Sequence, residues 1–421
     1  MTGRGNLSGN PCNRIGGFAS SVGRKKQGFD RKNGLDVGGS DVHFEKEMHM
    51  SGSGDMTRRD LLKAASAVGL MASAGVLTPS AWAQFGTPEQ IAEQEEFDKK
   101  IPQMRITDQF LRLSVPGYTM GGTLGVSTNS KGHLFVYSRS NPQGIARGGK
   151  AAMLWEFDQN HKFVKEWGPN NYAASFAHSV RVDKHDNVWI IDEGSGMIVK
   201  FEPDGQPVFW LGRGLEAIGY LETYLEREGV EAARLQANPP PLHPHGKIGV
   251  FNRPTDVTWD SRGNIFISDG YGNSRVVKIS PGGKWLKTVG TYGSGQDQFN
   301  TPHGICADSQ DNIYVADRSN RRIQVYDADL NYKRTMNHVA SPWTVCVSPG
   351  SPEYLYSGDG STGKIYKFDL SGKMLGWAQT SLGHGADDTG DLVHMITSPA
   401  PNVIYIGSAS LWDVQKITIE G

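Results

Sequence analysis

NRPTDVTWDSRGNIFISDGYGNSRVVKISPGGKWLKTVG, residues 252–290, contains four short runs rich in β-branched and aromatic residues, separated by DSRGN, GYGNS and SPGGK. Polar turns between such runs predict antiparallel hairpins. The same frame recurs as NSKGH at 129–133 before LFVYS, DKHDN at 183–187 before VWIID, and DSQDN at 308–312 before IYVAD. A second turn follows in register, PDG at 203–205, PGG at 281–283 and LSG at 370–372, ahead of a last strand. Each unit is therefore four strands, and the units span 121–168, 174–212, 252–290, 300–337, 339–379 and 390–421.

A repeat of roughly 40 residues with four strands predicts a β-propeller, in which radial repetition leaves only short protected edges. The expected fold class is all-β, a six-bladed propeller with four-stranded blades. The sixth unit lacks room for its outer strand, while ITDQFLRLSV at 106–115 alternates without a unit of its own. That N-terminal strand is expected to complete the last blade and close the ring over 106–421, after a lead-in at 84–105. One insertion, 213–250, interrupts the ring. Leu215, Ile218, Leu221, Leu225 and Val230 fall at helical spacing there, before a Pro-rich stretch with His243 and His245. An inserted amphipathic helix and a stiff loop are expected.

The histidines carry the chemistry. His178, His303 and His394 each open the first strand of a unit, in the second, fourth and sixth units, while Leu124, Thr255 and Trp343 take that place in the others. In a closed ring these side chains lie on alternate blades, roughly a third of a turn apart, and converge on the axis. One histidine at such a position would be an ordinary core residue, but three at one register are hard to attribute to packing. Three neutral imidazoles with an open fourth position favour zinc. Arg139, Tyr271 and Arg318 follow the second strand of their units, at corresponding stations. Asp192, Asp269 and Asp317 recur with the repeat and are expected to tie turns.

The runs FNRPTDVTWDSRGNIFISDGYGNSRVVKISPGGKWLKTVG and QFNTPHGICADSQDNIYVADRSNRRIQVY resemble the peptidyl-alpha-hydroxyglycine alpha-amidating lyase family, six-bladed propellers related to NHL repeats. The likeness is closest over Phe176 to Tyr326. It implies zinc on His178, His303 and His394, and active-site roles for Tyr271, Arg139 and Arg318. It implies cleavage of a carbinolamide C–N bond in a small or peptidyl alpha-hydroxyglycine, releasing an amide and glyoxylate. Main-chain contacts to a structural calcium would fall at Val126 and Val180. Against calcium, Met395 stands where the family has an aspartate after its third zinc histidine. As a separate departure, Gly272 stands where the family has a cysteine, so that disulfide is absent. Two other classes share the architecture: a non-catalytic NHL-type propeller that binds a protein or cell-envelope partner, and a lactonase-like hydrolase, whose metal would be held by carboxylate and amide oxygens.

Composition sets the remaining bounds. A formal net charge of -1 gives no case for nucleic acid. Cys306 and Cys346, three residues beyond His303 and Trp343, read as small core residues. A monomer is expected. TRRDLLK at 57–63, the apolar AASAVGLMASAGVL and Ala81-Trp82-Ala83 read together as a twin-arginine-type signal over 56–83. Residues 1–55 show no core-forming pattern and read as a disordered extension ahead of a start at Met48, Met50 or Met56. The protein is then periplasmic or secreted, with no stable membrane insertion. N-terminal sequencing of exported protein should begin at Gln84. Arg58→Lys/Arg59→Lys should abolish export, and undiminished export would exclude the twin-arginine route.

Overall fold

The computed structural model describes residues 86–139, 152–212, 249–381 and 393–420, all within the unit Thr57–Gly421. The expectations for 1–55, for the signal at 56–83 and for residues 213–248 of the insertion lie outside the described residues.

The hairpins form because side chains and backbone agree on the turns. Asn129, Asp183, Asp260 and Asp308 each begin a turn and accept main-chain N–H groups through their side-chain oxygens. Asp308 Oδ1, for example, takes Gln310 N at 2.9 Å and Asn312 N at 2.8 Å. This is the local bonding that makes Asx residues turn formers. The residue before the last of each turn is left-handed: Gly132, Asp186, Gly263 and Asp311. Asp186 and Asp311 also reach the preceding blade, accepting from the amide and hydroxyl of Ser130 and Ser261 respectively.

The strand β1 (Ile106–Phe110) precedes the ring. Blade 1 is β2 (Gly125–Thr128), β3 (Leu134–Arg139), β4 (Ala152–Phe157) and β5 (Phe163–Trp167), and blade 2 is β6 (Ala177–Val182), β7 (Val188–Asp192), β8 (Met197–Phe201) and β9 (Pro207–Leu211). Blade 3 is β10 (Asp256–Trp259), β11 (Ile265–Asp269), β12 (Arg275–Ile279) and β13 (Trp285–Val289). A short parallel pair follows, β14 (Thr291–Tyr292) with β15 (Gln298–Phe299). Blade 4 is β16 (Pro302–Ala307), β17 (Ile313–Asp317), β18 (Arg322–Tyr326) and β19 (Tyr332–Met336), and blade 5 is β20 (Pro342–Val347), β21 (Leu355–Asp359), β22 (Lys364–Phe368) and β23 (Met374–Gln379). Blade 6 takes β24 (Val393–Ala400), β25 (Val403–Ser408) and β26 (Gln415–Ile419), and β1 completes it, with Ile106 opposite Ile419 and Phe110 opposite Gln415.

This is the six-bladed propeller expected, closed by the N-terminal strand. First strands of adjacent blades contact one another all round the axis. Apolar clusters fill the gaps between blades. Phe135, Leu154, Val180 and Phe201 join blades 1 and 2, and Val126, Val136, Met395 and Tyr405 join blade 6 to blade 1. Fully burying each such side chain contributes about 1.5–3 kcal/mol. Among the described residues, no helix is long and apolar enough to cross a membrane.

The lead-in adds a helix that periodicity did not reveal, α1 (Pro88–Asp98), started by a capping box between Thr87 and Gln90. It straps blades 4 and 5 through polar contacts, which is why no apolar stripe announced it. Gln94 Nε2 donates to His338 O at 3.1 Å, Gln94 Oε1 accepts from Ala340 N at 3.2 Å, and Phe97 stacks on His338. Asp98 Oδ2 accepts from Lys364 Nζ at 2.7 Å and from Tyr366 Oη at 3.1 Å. Asp98→Ala leaves a mostly buried ammonium and a phenol without their acceptor. The expected cost is about 3 kcal/mol, read as a lower urea midpoint with an unchanged slope.

Candidate metal centre

His178, His303 and His394 are the second residues of β6, β16 and β24, and all three are buried. The ring centroids stand 4.6, 4.7 and 5.1 Å apart, and one ligand atom from each lies within 4.8 Å of the others. Each Nδ1 faces a main-chain carbonyl on the following blade. His178 Nδ1 lies 2.6 Å from Thr255 O, His303 Nδ1 2.6 Å from Trp343 O, and His394 Nδ1 2.8 Å from Leu124 O. A carbonyl can only accept, so each Nδ1 carries the proton and each Nε2 presents a lone pair. Burial pushes all three imidazoles well below their ordinary pKa, and neighbouring cations push them further. Three neutral, oriented nitrogen donors can hold a metal ion, and this donor set fits zinc.

Tyr271 and Arg318 come from corresponding stations after β11 and β17. Tyr271 sits in a one-turn helix, α2 (Gly270–Asn273), ended by left-handed Ser274, and Arg318 opens a 3-10 turn ended by left-handed Arg321. Gly270 is required there, because a Cβ would come within 1.8 Å of Pro302 O. Tyr271 Oη reaches 3.1 Å from His303 Nε2 and 3.4 Å from His178 Nε2, and Arg318 Nη1 donates to it at 3.3 Å. Arg318 is only 1% exposed, lies against the Trp343 ring, and its Nε and Nη2 have no hydrogen-bond partner. A buried guanidinium with two open N–H groups is costly unless an acceptor arrives.

Arg139 stands at the rim. Its Nε donates to Ala177 O at 3.1 Å, its Nη2 to Glu193 Oε2 at 3.3 Å, and its guanidinium covers the Phe176 ring at 3.4 Å. The structure thus brings all six predicted site residues together, and it adds two that sequence reasoning missed. Arg253 donates from Nε and Nη2 to Glu193 Oε1, at 2.8 and 2.5 Å, and lies over the Tyr271 ring at 4.4 Å. Burial pushes the Glu193 carboxyl up, but Arg253 and Arg139 more than offset this and hold it below the ordinary range. Glu193 follows Asp192 as Arg318 follows Asp317, and that shared station could have flagged it. Asp192, Asp269 and Asp317 do tie turns, as expected; Asp192, for instance, accepts from the amides of Ser175, Phe176 and Ser195.

The calcium position lacks the family's carboxylate, and a guanidinium stands at the same register. Val126 and Val180 share their register with Val345 and Ile396, and the carbonyls of Val345 and Ile396 already accept from the Arg181 guanidinium, at 3.4 and 2.8 Å. Met395, at the family's aspartate position, is buried and lies 3.5 Å from Thr344 Oγ1 through its sulfur. Gly272 packs against Asn252, and Cys306 and Cys346 are both free. A cavity of about 730 Å³ opens towards the other end of the axis, lined by Arg181, Cys306 and Cys346. Cavity size therefore does not mark the imidazole site.

The NHL repeat matches residues 251–279 and 299–326, which hold the first three strands of blades 3 and 4. The chain is 25% identical over 342 residues to peptidylglycine alpha-amidating monooxygenase of Rattus norvegicus, covering 73% of this chain and 32% of that protein. It is 29% identical over 288 residues to NHL repeat-containing protein 3 of Mus musculus, covering 66% and 69%. It is also 23% identical over 261 residues to a probable peptidyl-alpha-hydroxyglycine alpha-amidating lyase of Caenorhabditis elegans, covering 57% and 66%. The chain thus carries NHL repeats and is similar to proteins named as amidating lyases. It spans about a third of the length of the monooxygenases it matches.

Dialysed protein of this NHL propeller should retain about one zinc per chain, and His303→Ala should lose most of it, because three ligands leave no redundancy. Elemental analysis checks this, and calcium should be absent from the same sample. The metal-free protein should also be sensitive to acid. Its folded imidazoles resist protonation, whereas those of the unfolded chain accept protons near pH ~6.5. Their contribution to stability is full above that pH and is lost as pH falls below it. Urea midpoints of the metal-free protein at about pH 7.5 and about pH 5.5 measure the loss.

Proposed function

We propose that this propeller is a zinc-dependent lyase that cleaves the C–N bond of a small or peptidyl alpha-hydroxyglycine, giving an amide and glyoxylate. One observation carries the reading: three Nε2 lone pairs converge beside a tyrosine hydroxyl that also receives a buried, half-unpartnered arginine. The names of the relatives point the same way. Zinc on His178, His303 and His394 would supply a Lewis acid that lowers the pKa of the substrate hydroxyl.

The remaining chemistry falls to the protein. Tyr271 takes the hydroxyl proton; the C–O bond becomes a carbonyl as the C–N electron pair leaves with nitrogen, and Tyr271 returns the proton to that nitrogen to give the amide. Arg318 offers its open Nε and Nη2 to the substrate carboxylate, a charge-assisted and directional contact. Arg139 orients the peptide carbonyl at the rim, with Glu193 fixing its guanidinium. Glu193 engages both Arg139 and Arg253, which leaves Arg318 to face the substrate. This use of a half-satisfied guanidinium distinguishes the lyase reading from a propeller that only binds a partner, which would need neither Tyr271 nor an open Arg318. The proposed setting is outside the cytoplasmic membrane, after removal of residues up to 83.

Glyoxylate release from a panel of alpha-hydroxyglycine derivatives tests the reaction, and a zinc-loaded protein inert towards the whole panel would sink it. Tyr271→Phe should keep its zinc and lose about two to four orders of magnitude in kcat. Arg318→Ala should keep its zinc and lose about tenfold or more in kcat/KM through misorientation of the substrate.

A further inference from the structure

We infer that Arg181 and Asp256 form the positioning element for the three imidazoles, a cation and counter-ion built permanently into the axis just beyond them. Arg181 lies three residues past His178 on β6, and its Nε and Nη2 donate to the two carboxylate oxygens of Asp256 at 2.9 and 2.6 Å. This is the bidentate geometry that a guanidinium makes and an ammonium cannot. Asp256 is 0% exposed and Arg181 8%.

The partners of this pair are the strand segments that aim the imidazoles. Asp256 directly follows Thr255, whose carbonyl holds His178. Its Oδ2 accepts from Ile305 N at 3.1 Å, two residues past His303. Arg181 Nη1 donates to Ile396 O at 2.8 Å, two residues past His394, and Nη2 to Val345 O at 3.4 Å, two residues past Trp343, whose carbonyl holds His303. Blades 2 to 6 thus meet at one ion pair. A buried pair of this kind adds little net stability over well-packed apolar residues, so its presence points to registration.

The inference rests on the metal-binding reading of His178, His303 and His394 but on no particular substrate. The test is zinc affinity by chelator competition, together with the visible spectrum of the cobalt(II)-loaded protein, for wild type, Arg181→Met, Arg181→Lys and the Arg181→Met/Asp256→Leu double variant, all well below their unfolding temperatures. Arg181→Met should bind zinc about 10–100-fold more weakly and show a shifted cobalt spectrum. Arg181→Lys, which keeps the charge without the fork, should rescue only part of the affinity. If Arg181→Met does not fold, the double variant decides, since it leaves no unpaired charge. It should recover thermal stability while zinc binding stays weak. Wild-type affinity and an unchanged cobalt spectrum in the folded variants would overturn the inference and leave the pair purely structural. A wild type that binds neither zinc nor cobalt would instead overturn the metal reading on which the inference rests.

Discussion

A main-chain carbonyl from the next blade holds each axial imidazole, and the site depends on that bond. Thr255, Trp343 and Leu124 occupy on blades 3, 5 and 1 the register that histidine occupies on blades 2, 4 and 6. Three of the six positions therefore supply donors to the axis, and the other three supply the carbonyls that orient them. The arrangement needs a closed ring with an even number of blades, because His394 on the last blade is oriented by Leu124 on the first. The pairing of β1 with β26 is thus part of the site's architecture, although it lies at the outer edge of its blade.

Charge is distributed with similar economy. Near the imidazoles, Glu193 engages Arg139 and Arg253, so two guanidiniums share one carboxylate while Arg318 keeps two buried N–H groups open. Further along the axis, Asp256 and Arg181 satisfy each other and the carbonyls of two further blades. The imidazole end of the axis is left with unspent positive charge, and the Arg181–Asp256 pair leaves none. Tyr271 sits where these two regimes meet, its ring under Arg253 and its hydroxyl beside two imidazoles and Arg318.

Much of this was legible in one dimension. The Asx turns, their spacing and the alternation of apolar runs determined the four-stranded unit, because the hydrogen bonds that make those turns are local. The recurrence of histidine at one station in every second unit determined that three imidazoles would meet, given closure. The stations after the second strands also marked Arg139, Tyr271 and Arg318.

Contacts between residues far apart in sequence were not legible, since nothing local distinguishes a residue whose partner lies on another blade. Arg253 and Glu193 are separated by the 213–250 insertion, and Arg181 reads as an ordinary charged residue in a strand until blades 3, 5 and 6 surround it. Helix α1 escaped because it docks through Gln94 and Asp98, whereas amphipathic periodicity reports only apolar docking. The sequence by itself determined the repeat, the ring and which residue types face the axis. Only the tertiary structure decided which nitrogen of each imidazole is free and that Arg318 keeps open donors. It also placed the Arg181 guanidinium against carbonyls at the register of Val126 and Val180, because each of these depends on what the neighbouring blades bring within hydrogen-bonding distance.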